Sequence, residues 1–381
     1  MTTTAAIDTD TTTIDWIERA HRVGTACSAT VADDDRRGEL NTAAFDRLRV
    51  DGLTAALVPA EHGGGGATHA DTGEMLRALA RHDPATAVTL AMHTHLVAAQ
   101  VWRHKHGMDA TPFFRKIVDG PAIAISTGAS DWVASNGVAR AVDGGYRVSA
   151  RKAPASGCEI GDLLVTSIRW DGGPEGPQVI HCAIPFTADG VSVDKTWDTL
   201  GLRATGSHTV VLDDVFVPEA AVSLIRPADV WHPVWNTVIG AAMPLVMAAY
   251  VGMADAAVEC ALTMVAGRAE PHTLQLAGEM VNAHLAVLAL VKAMFDDADD
   301  LRFDNTDAIA SRTLSRKTVA ADALIQCVRL AIETVGGVGY TRGTELERLY
   351  RDVHGCLFHP LPRAKQTRFS GRVAVGLTPV G

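Results

Sequence analysis

From Val238 to Ala254 the chain reads VIGAAMPLVMAAYVGMA and carries no charged side chain. A helix made from such a run has no polar face to offer water, so it belongs in a bilayer or among other helices. The run falls just short of the ~20 apolar residues that span a membrane. It contains Pro244 and two glycines, and its apolar pattern continues past Asp255 and Glu259 instead of stopping at a basic flank. The reading that satisfies all of this is a buried central helix of a bundle. The rest of the chain is then expected to supply its neighbours.

The apolar period divides the 381 residues into three stretches. The first is helical. Ile14, Ile17, Ala20 and Val23 recur at helical spacing within Ile14 to Ala32, and Asp83-Pro84 supplies an N-cap and a first-turn proline for a helix through TAVTLAMHTHLVAAQVW. Between them lies Pro59-Ala-Glu-His-Gly-Gly-Gly-Gly66; with no Gly-Lys-Ser/Thr after it, this reads as a flexible turn and not as a phosphate loop. In the second stretch the period becomes two. Tyr146, Val148 and Ala150 alternate after the turn Asp143-Gly144-Gly145, and Asp162 to Trp170, Val179 to Pro185 and Thr209 to Val217 read as further strands. The third stretch returns to helix: the charge-free segment, then Leu274 to Phe295, then Asp307 to Val335 stopped by Gly336. The expected fold class is α+β and multidomain. Residues 1–119 form an N-terminal helical domain, 120–225 a middle β-barrel or sandwich, and 226–381 a C-terminal four-helix bundle.

A formal net charge of −10 argues against a general nucleic-acid or anionic-membrane binder, which needs a basic face. The six cysteines form no C-x-x-C pair, so neither a zinc site nor a disulfide framework is expected, and no metal motif is seen. Met1 to Asp10 shows no secretory signal, which makes the cytoplasm the default location.

Four strings, in this domain order, resemble the acyl-CoA dehydrogenase superfamily of flavoproteins. They are Val58-Pro-Ala-Glu-His-Gly-Gly; Thr199-Leu-Gly-Leu-Arg-Ala-Thr-Gly-Ser with Leu212-Asp-Asp-Val-Phe-Val-Pro218; Arg268 after the first bundle helix; and Gly336-Gly-Val-Gly-Tyr340 with Glu347-Arg-Leu-Tyr-Arg-Asp352. The resemblance implies an oxidoreductase that assembles as a homotetramer around FAD. The flavin ring would lie between the β-domain and the bundle, and Gly336, Gly337 and Gly339 would approach the cofactor of a neighbouring subunit. The bland reading of those glycines is a helix C-cap. Ser126 and Ser130, in Ile125-Ser-Thr-Gly-Ala-Ser-Asp131, match the family's flavin-side loop. Arg268 would contact the cofactor phosphates, but the Phe-Gly pair that follows it in the family is absent here, which leaves FMN open as the cofactor.

The family's dehydrogenases remove an α proton with a Glu. The position that Glu takes after the Arg-Asp pair falls on Pro360. Its alternative place, early in the first bundle helix, falls near Ala242, and no acidic residue occurs between Asp229 and Asp255. The string from Arg351, R-D-V-H-G-C-L-F-H-P-L-P-R-A-K, instead resembles a branch of two-component flavin monooxygenases that includes dibenzothiophene-oxidising enzymes. In that branch a His placed like His359 faces the flavin. Lys152-Ala-Pro-Ala-Ser156-Gly157 resembles the same branch, which implies that Ser156 bonds near flavin N5. A His on the helix before the β-domain is also expected; His93 and His95 both qualify and lie on different faces. The non-catalytic alternatives are a helix-end His359, a loop Ser156 and core histidines at His93 and His95.

Three functions follow. One is a hydroperoxyflavin-type monooxygenase supplied by a flavin reductase and acting on a small organic or thioester-linked substrate. A second is an acyl-CoA dehydrogenase with a relocated base, His359 itself being the candidate, that passes electrons to an electron-transfer flavoprotein. A third is a silent partner subunit. Trp231, Trp235, Met243 and Met247 are candidates for shaping the substrate pocket.

Overall fold

The structure, a computed structural model, describes residues 14–381. The expectation for Met1 to Asp10 lies outside them. Among the described residues the N-terminal domain holds six α-helices: α1 (Trp16–Cys27), α2 (Val31–Arg37), α3 (Thr42–Val50), α4 (His69–Ala80), α5 (Pro84–Lys105) and α6 (Thr111–Val118). The helix expected over Ile14 to Ala32 is broken after Cys27. Ser28 Oγ and Thr30 Oγ1 donate back to the carbonyls of Thr25 and Cys27 at 2.9 and 3.4 Å, and these side-chain bonds compete with the helix ladder. Asp83 caps α5 as expected, accepting from Thr86 N at 3.0 Å.

The four glycines make a turn packed too tightly for side chains. A Cβ on Gly64 would stand 2.3 Å from the Val58 carbonyl oxygen, and one on Gly65 would stand 2.4 Å from the Trp16 ring. The amides of Gly64, Gly65 and Gly66 all bond to carbonyls of residues 55–59, so none of these three is left to cradle a phosphate.

The middle domain is two four-stranded sheets built from β1 (Ala124–Ser126), β2 (Val138–Val142), β3 (Gly145–Lys152), β4 (Leu163–Trp170), β5 (Gln178–Pro185), β6 (Val191–Asp194), β7 (Thr209–Pro218) and β8 (Val222–Pro227). Their orders are β1-β4-β5-β8 and β2-β3-β7-β6, antiparallel throughout except for the parallel β1/β4 pair. Of the two forms expected, this is a sandwich: neither sheet closes on itself as a barrel does.

The C-terminal region comprises α7 (Val234–Met264), α8 (Pro271–Ala298), α9 (Asp307–Val335), α10 (Glu345–Val353) and α11 (Arg363–Ala374). Short connections fold α7, α8 and α9 back and forth, and α10 and α11 pack alongside. α7 contains the charge-free run and is buried nearly all round, against α4 and α5 on one side and α8 and α9 on the other. Both α7 and α8 are long and apolar enough to cross a membrane. Yet 94% of the most apolar window of α7 is covered by this chain itself, against 22% for α8.

The Arg-Asp pair is a joint between domains. Asp352 Oδ1 accepts from Leu202 N at 2.6 Å, Arg351 reaches Asp35 at 2.7 Å, and a Cβ on Gly201 would stand 2.2 Å from the Arg351 carbonyl oxygen. Two of the strings that carried the sequence resemblance therefore meet in space.

Candidate functional site

Helix α5 runs past most of the residues singled out in the sequence. Thr89 Oγ1 bonds to the Thr205 carbonyl at 3.3 Å, and the Met92 carbonyl accepts from Ser126 Oγ at 3.5 Å. His93 is fully engaged as a core residue: its Nε2 donates to the Thr54 carbonyl at 2.9 Å and its Nδ1 accepts from Ala124 N at 3.0 Å. His95, on another face, has among the described residues only a 3.3 Å contact from Nδ1 to the Ala91 carbonyl of its own helix. Burial pushes both imidazoles down to about 4. Of the two, His95 is the one whose charge reaches His359.

His359 follows the short 3-10 turn His354–Leu357. Its ring packs against Tyr250 of α7, centroids 5.5 Å apart, and its nitrogens make no hydrogen bond among the described residues. Its carbonyl accepts from Lys317 Nζ at 2.7 Å; the same ammonium lies 3.5 Å from the Leu361 carbonyl. Burial first, then the charges of Lys317 and His95, hold the His359 imidazole down at about 3, so it is neutral at any ordinary pH. Burial also brings Lys317 down to about 8. The Tyr250 hydroxyl is buried with no partner among the described residues. The acidic residue nearest along α7, Asp255, is taken up by Arg77 at 2.6 Å and His284 at 2.7 Å. Ala242 is buried apolar core.

Ser156 stands on the loop after β3, its hydroxyl 2.8 Å from Ser207 Oγ, which is in turn 2.7 Å from Thr205 Oγ1. The loop carrying Ser126 and the exposed Ser130 lies against it, since a Cβ on Gly128 would fall 3.1 Å from Pro154 Cδ. A buried ion pair braces the two loops: Lys152 Nζ is 2.9 Å from Asp131 Oδ2. Beside them Trp132 stacks on Trp235 at 5.2 Å, and Arg226, fully buried, lies over Trp235 at 5.5 Å. Trp235, Met243 and Met247 are core side chains, whereas Trp231 is half-buried.

Each of these groups has chemistry that a flavin ring can use. Hydroxyls at Ser126, Ser130 and Ser156 can donate or accept along its polar edge. The neutral His359 imidazole can donate one N–H, and among the described residues no carboxylate bonds to the His359 ring or to these three hydroxyls.

Arg268 and the glycines stand apart. Asn236 Nδ2 meets Asp307 Oδ1 at 2.8 Å, so α7 and α9 begin side by side and end at the same end of the bundle. Arg268, exposed, follows the end of α7, and Gly336 (φ +78°) caps α9. A Cβ on Gly336 or Gly337 would meet nothing, and Tyr340 is 82% exposed. Gly339 is packed under Val335 instead. At 1.5 Å per residue, Tyr250 and the end of α7 are about 21 Å apart. Arg268 and His359 therefore stand at different levels along α7.

Sequence reasoning passed over Lys317, Tyr250 and Arg226. For Lys317 a signal was present: it falls on the apolar stripe of α9 with Leu314, Ala321 and Leu324, where a charge is out of place.

The chain matches the acyl-CoA dehydrogenase N-terminal domain over residues 19–110 and the acyl-CoA dehydrogenase C-terminal domain over 245–361. L-evernosamine nitrososynthase from Micromonospora is 30% identical, covering 92% of this chain and 87% of its own. Putative acyl-CoA dehydrogenase YdbM from Bacillus subtilis is 28% identical, covering 91% and 92%. Dibenzothiophene monooxygenase from Mycolicibacterium goodii is 25% identical, covering 91% and 90%. Among solved structures, KijD3 in complex with FMN and a dTDP-linked amino sugar superposes with a TM-score of 0.86 at 28% identity, covering 95% of this chain and 93% of its own.

Proposed function

We propose, from the premise that this chain belongs to the acyl-CoA dehydrogenase family, that it is a flavin-dependent monooxygenase of the hydroperoxyflavin type, using FMN in place of the FAD first expected. The observation that carries this reading is that both positions of the dehydrogenase carboxylate are non-acidic, Pro360 and Ala242, while the adjacent His359 imidazole is neutral and makes no hydrogen bond among the described residues, with cationic Lys317 behind it. Reduced flavin, when bound, supplies the two electrons that let O2 give one oxygen atom to substrate and the other to water. The chain's own part is to orient and to exclude water. With the flavin bound, His359 would offer its one N–H to the reacting oxygen. Lys317 fixes the backbone that carries His359. Ser156 would hold the ring edge through a hydroxyl already oriented by Ser207.

The nitrososynthase relative and the FMN-bound neighbour support FMN and an oxidisable nitrogen on a small organic substrate; the reading itself calls for a separate flavin reductase, since the flavin must arrive reduced. The exposed apolar side of α8, with Leu274, Val281 and Leu285, suits assembly into a homotetramer, and six free cysteines suit the cytoplasm.

The test is stopped-flow absorbance. FMN-loaded protein, reduced and mixed with oxygenated buffer, is expected to show a transient species before oxidised flavin returns, and His359→Ala is expected to shorten its life at least tenfold. A second reading, acyl-CoA dehydrogenation, draws on the likeness to YdbM. It needs His359 as base, and an imidazole held at about 3 is a weak one for a carbon acid. Bleaching of the flavin by an acyl-CoA under nitrogen would decide for that reading.

A further inference from the structure

One group of metal-capable side chains has no part in the flavin site. Glu61 and His62 end the 3-10 turn Ala60–His62, and His104 lies in the last turn of α5. A carboxylate oxygen and two imidazole nitrogens from these three residues lie within 4.8 Å of one another. His104 Nε2 is already 3.2 Å from Glu61 Oε1. Phe114 of α6 forms a common floor, its ring centroid 5.0 Å from His62 and 5.9 Å from His104, and the two imidazoles meet edge to face at 5.0 Å. Among the described residues Glu61 pairs with no Lys or Arg, so its carboxylate is not held by a competing cation.

We propose that Glu61, His62 and His104 form a binding site for a divalent transition ion of the zinc class, with a fourth position open to water. The ligand set is borderline in softness, two nitrogens and one oxygen, which suits Zn2+ and excludes a preference for Mg2+ or Ca2+. A tetrahedral ion with bonds of about 2.0–2.1 Å holds its ligand atoms roughly 3.4 Å apart, so these three need to converge by at most roughly 1.4 Å. In the tautomer that carries its proton on Nδ1, His104 Nε2 offers its lone pair to the ion in place of the contact with Glu61. The ion then links the turn before the four glycines to the end of α5, two segments far apart in the sequence. Along α5 the site stands about 13 Å from His95, clear of the flavin side.

The experiment uses untagged, flavin-loaded protein, stripped with a chelator and titrated with ZnCl2 by calorimetry, with thermal melting alongside. One equivalent of Zn2+ per chain and a raised melting midpoint are expected. Glu61→Gln, at an exposed position where folding is not at stake, and His104→Ala are expected to weaken binding roughly tenfold or more. His272→Ala, at an exposed histidine elsewhere, is expected to change nothing. Absence of saturable binding, or binding unaltered in both Glu61→Gln and His104→Ala, overturns the proposal. Because the readout is metal binding and melting, its failure leaves the oxygenase reading where it stands.

Discussion

Asp352 shows what a single buried carboxyl does to the pH response of the whole chain. Burial above all, with the nearby charge of Asp35 adding to it, pushes this group up to about 7, although it accepts a bond from Leu202 N. In the unfolded chain an Asp ionises in the ordinary carboxylate range. Between that range and about 7 the unfolded state has lost the proton while the fold keeps it, so stability falls as pH rises through this window and levels off above it. Asp352→Asn is expected to remove that slope, since an amide oxygen still accepts from Leu202. Asp255 acts in the opposite sense: His284 and Arg77 outweigh its burial and lower it, so its contribution fades as pH falls. The comparison is therefore variant against parent by urea denaturation at pH 5 and 7.5. An unchanged difference between the two pH values would sink the assignment. At this scale the sequence showed the Arg-Asp pair as a motif and not as a joint, because its partners Leu202 and Asp35 lie far away along the chain. The choice between His93 and His95 was likewise beyond it, since only tertiary contacts show that His93 has both nitrogens occupied.

Among the elements, α7 is defined by how closely its neighbours approach. A Cβ on Gly252 would stand 2.2 Å from the Arg77 carbonyl oxygen and 2.8 Å from Ala80 Cβ, so α4 rests directly on the α7 backbone. The clash is with backbone, so overpacking at the upper end of about 1–3 kcal/mol outweighs the ~1 kcal/mol that Ala gains in a helix interior, and Gly252→Ala is expected to destabilise the chain by about 1–2 kcal/mol net. A denaturation midpoint equal to or above that of the parent would refute the contact. Elements with strong local signals were legible. Asp83-Pro84 announced α5, alternation marked β3, and β4, β5 and β7 read as further strands. The three-residue β1 carries too little pattern to read. β8 runs against its own pattern, because Ile225 is 40% exposed while Arg226, the charged residue beside it, is fully buried. Arg226 is tolerated there because it donates to His181 Nε2 and to the carbonyls of Asp131 and Val133, at 2.9, 3.2 and 2.9 Å.

For the whole molecule, the uncovered side of α8 is the informative surface. Leu285 is 56% and Leu274 57% exposed on a helix whose composition calls for burial. Leu285→Glu is expected to shift the protein to a smaller species in analytical ultracentrifugation and to weaken FMN binding along with it. A variant that keeps both the parent's mass and its flavin affinity would show that this face is not where copies meet. Domain order was legible from the change of period alone, because each kind of element must pair with its own kind to bury its apolar side. The way copies combine was not, because it depends on which face remains uncovered after the chain has folded.

The distance along α7 between the residues facing His359 and those around Arg268 has a further meaning. If both groups serve one cofactor, each copy holds one half of two different sites. Catalysis then becomes a matter of dose: on dilution, working sites disappear faster than folded chains do, and in a cell that makes few copies a smaller fraction of them can react.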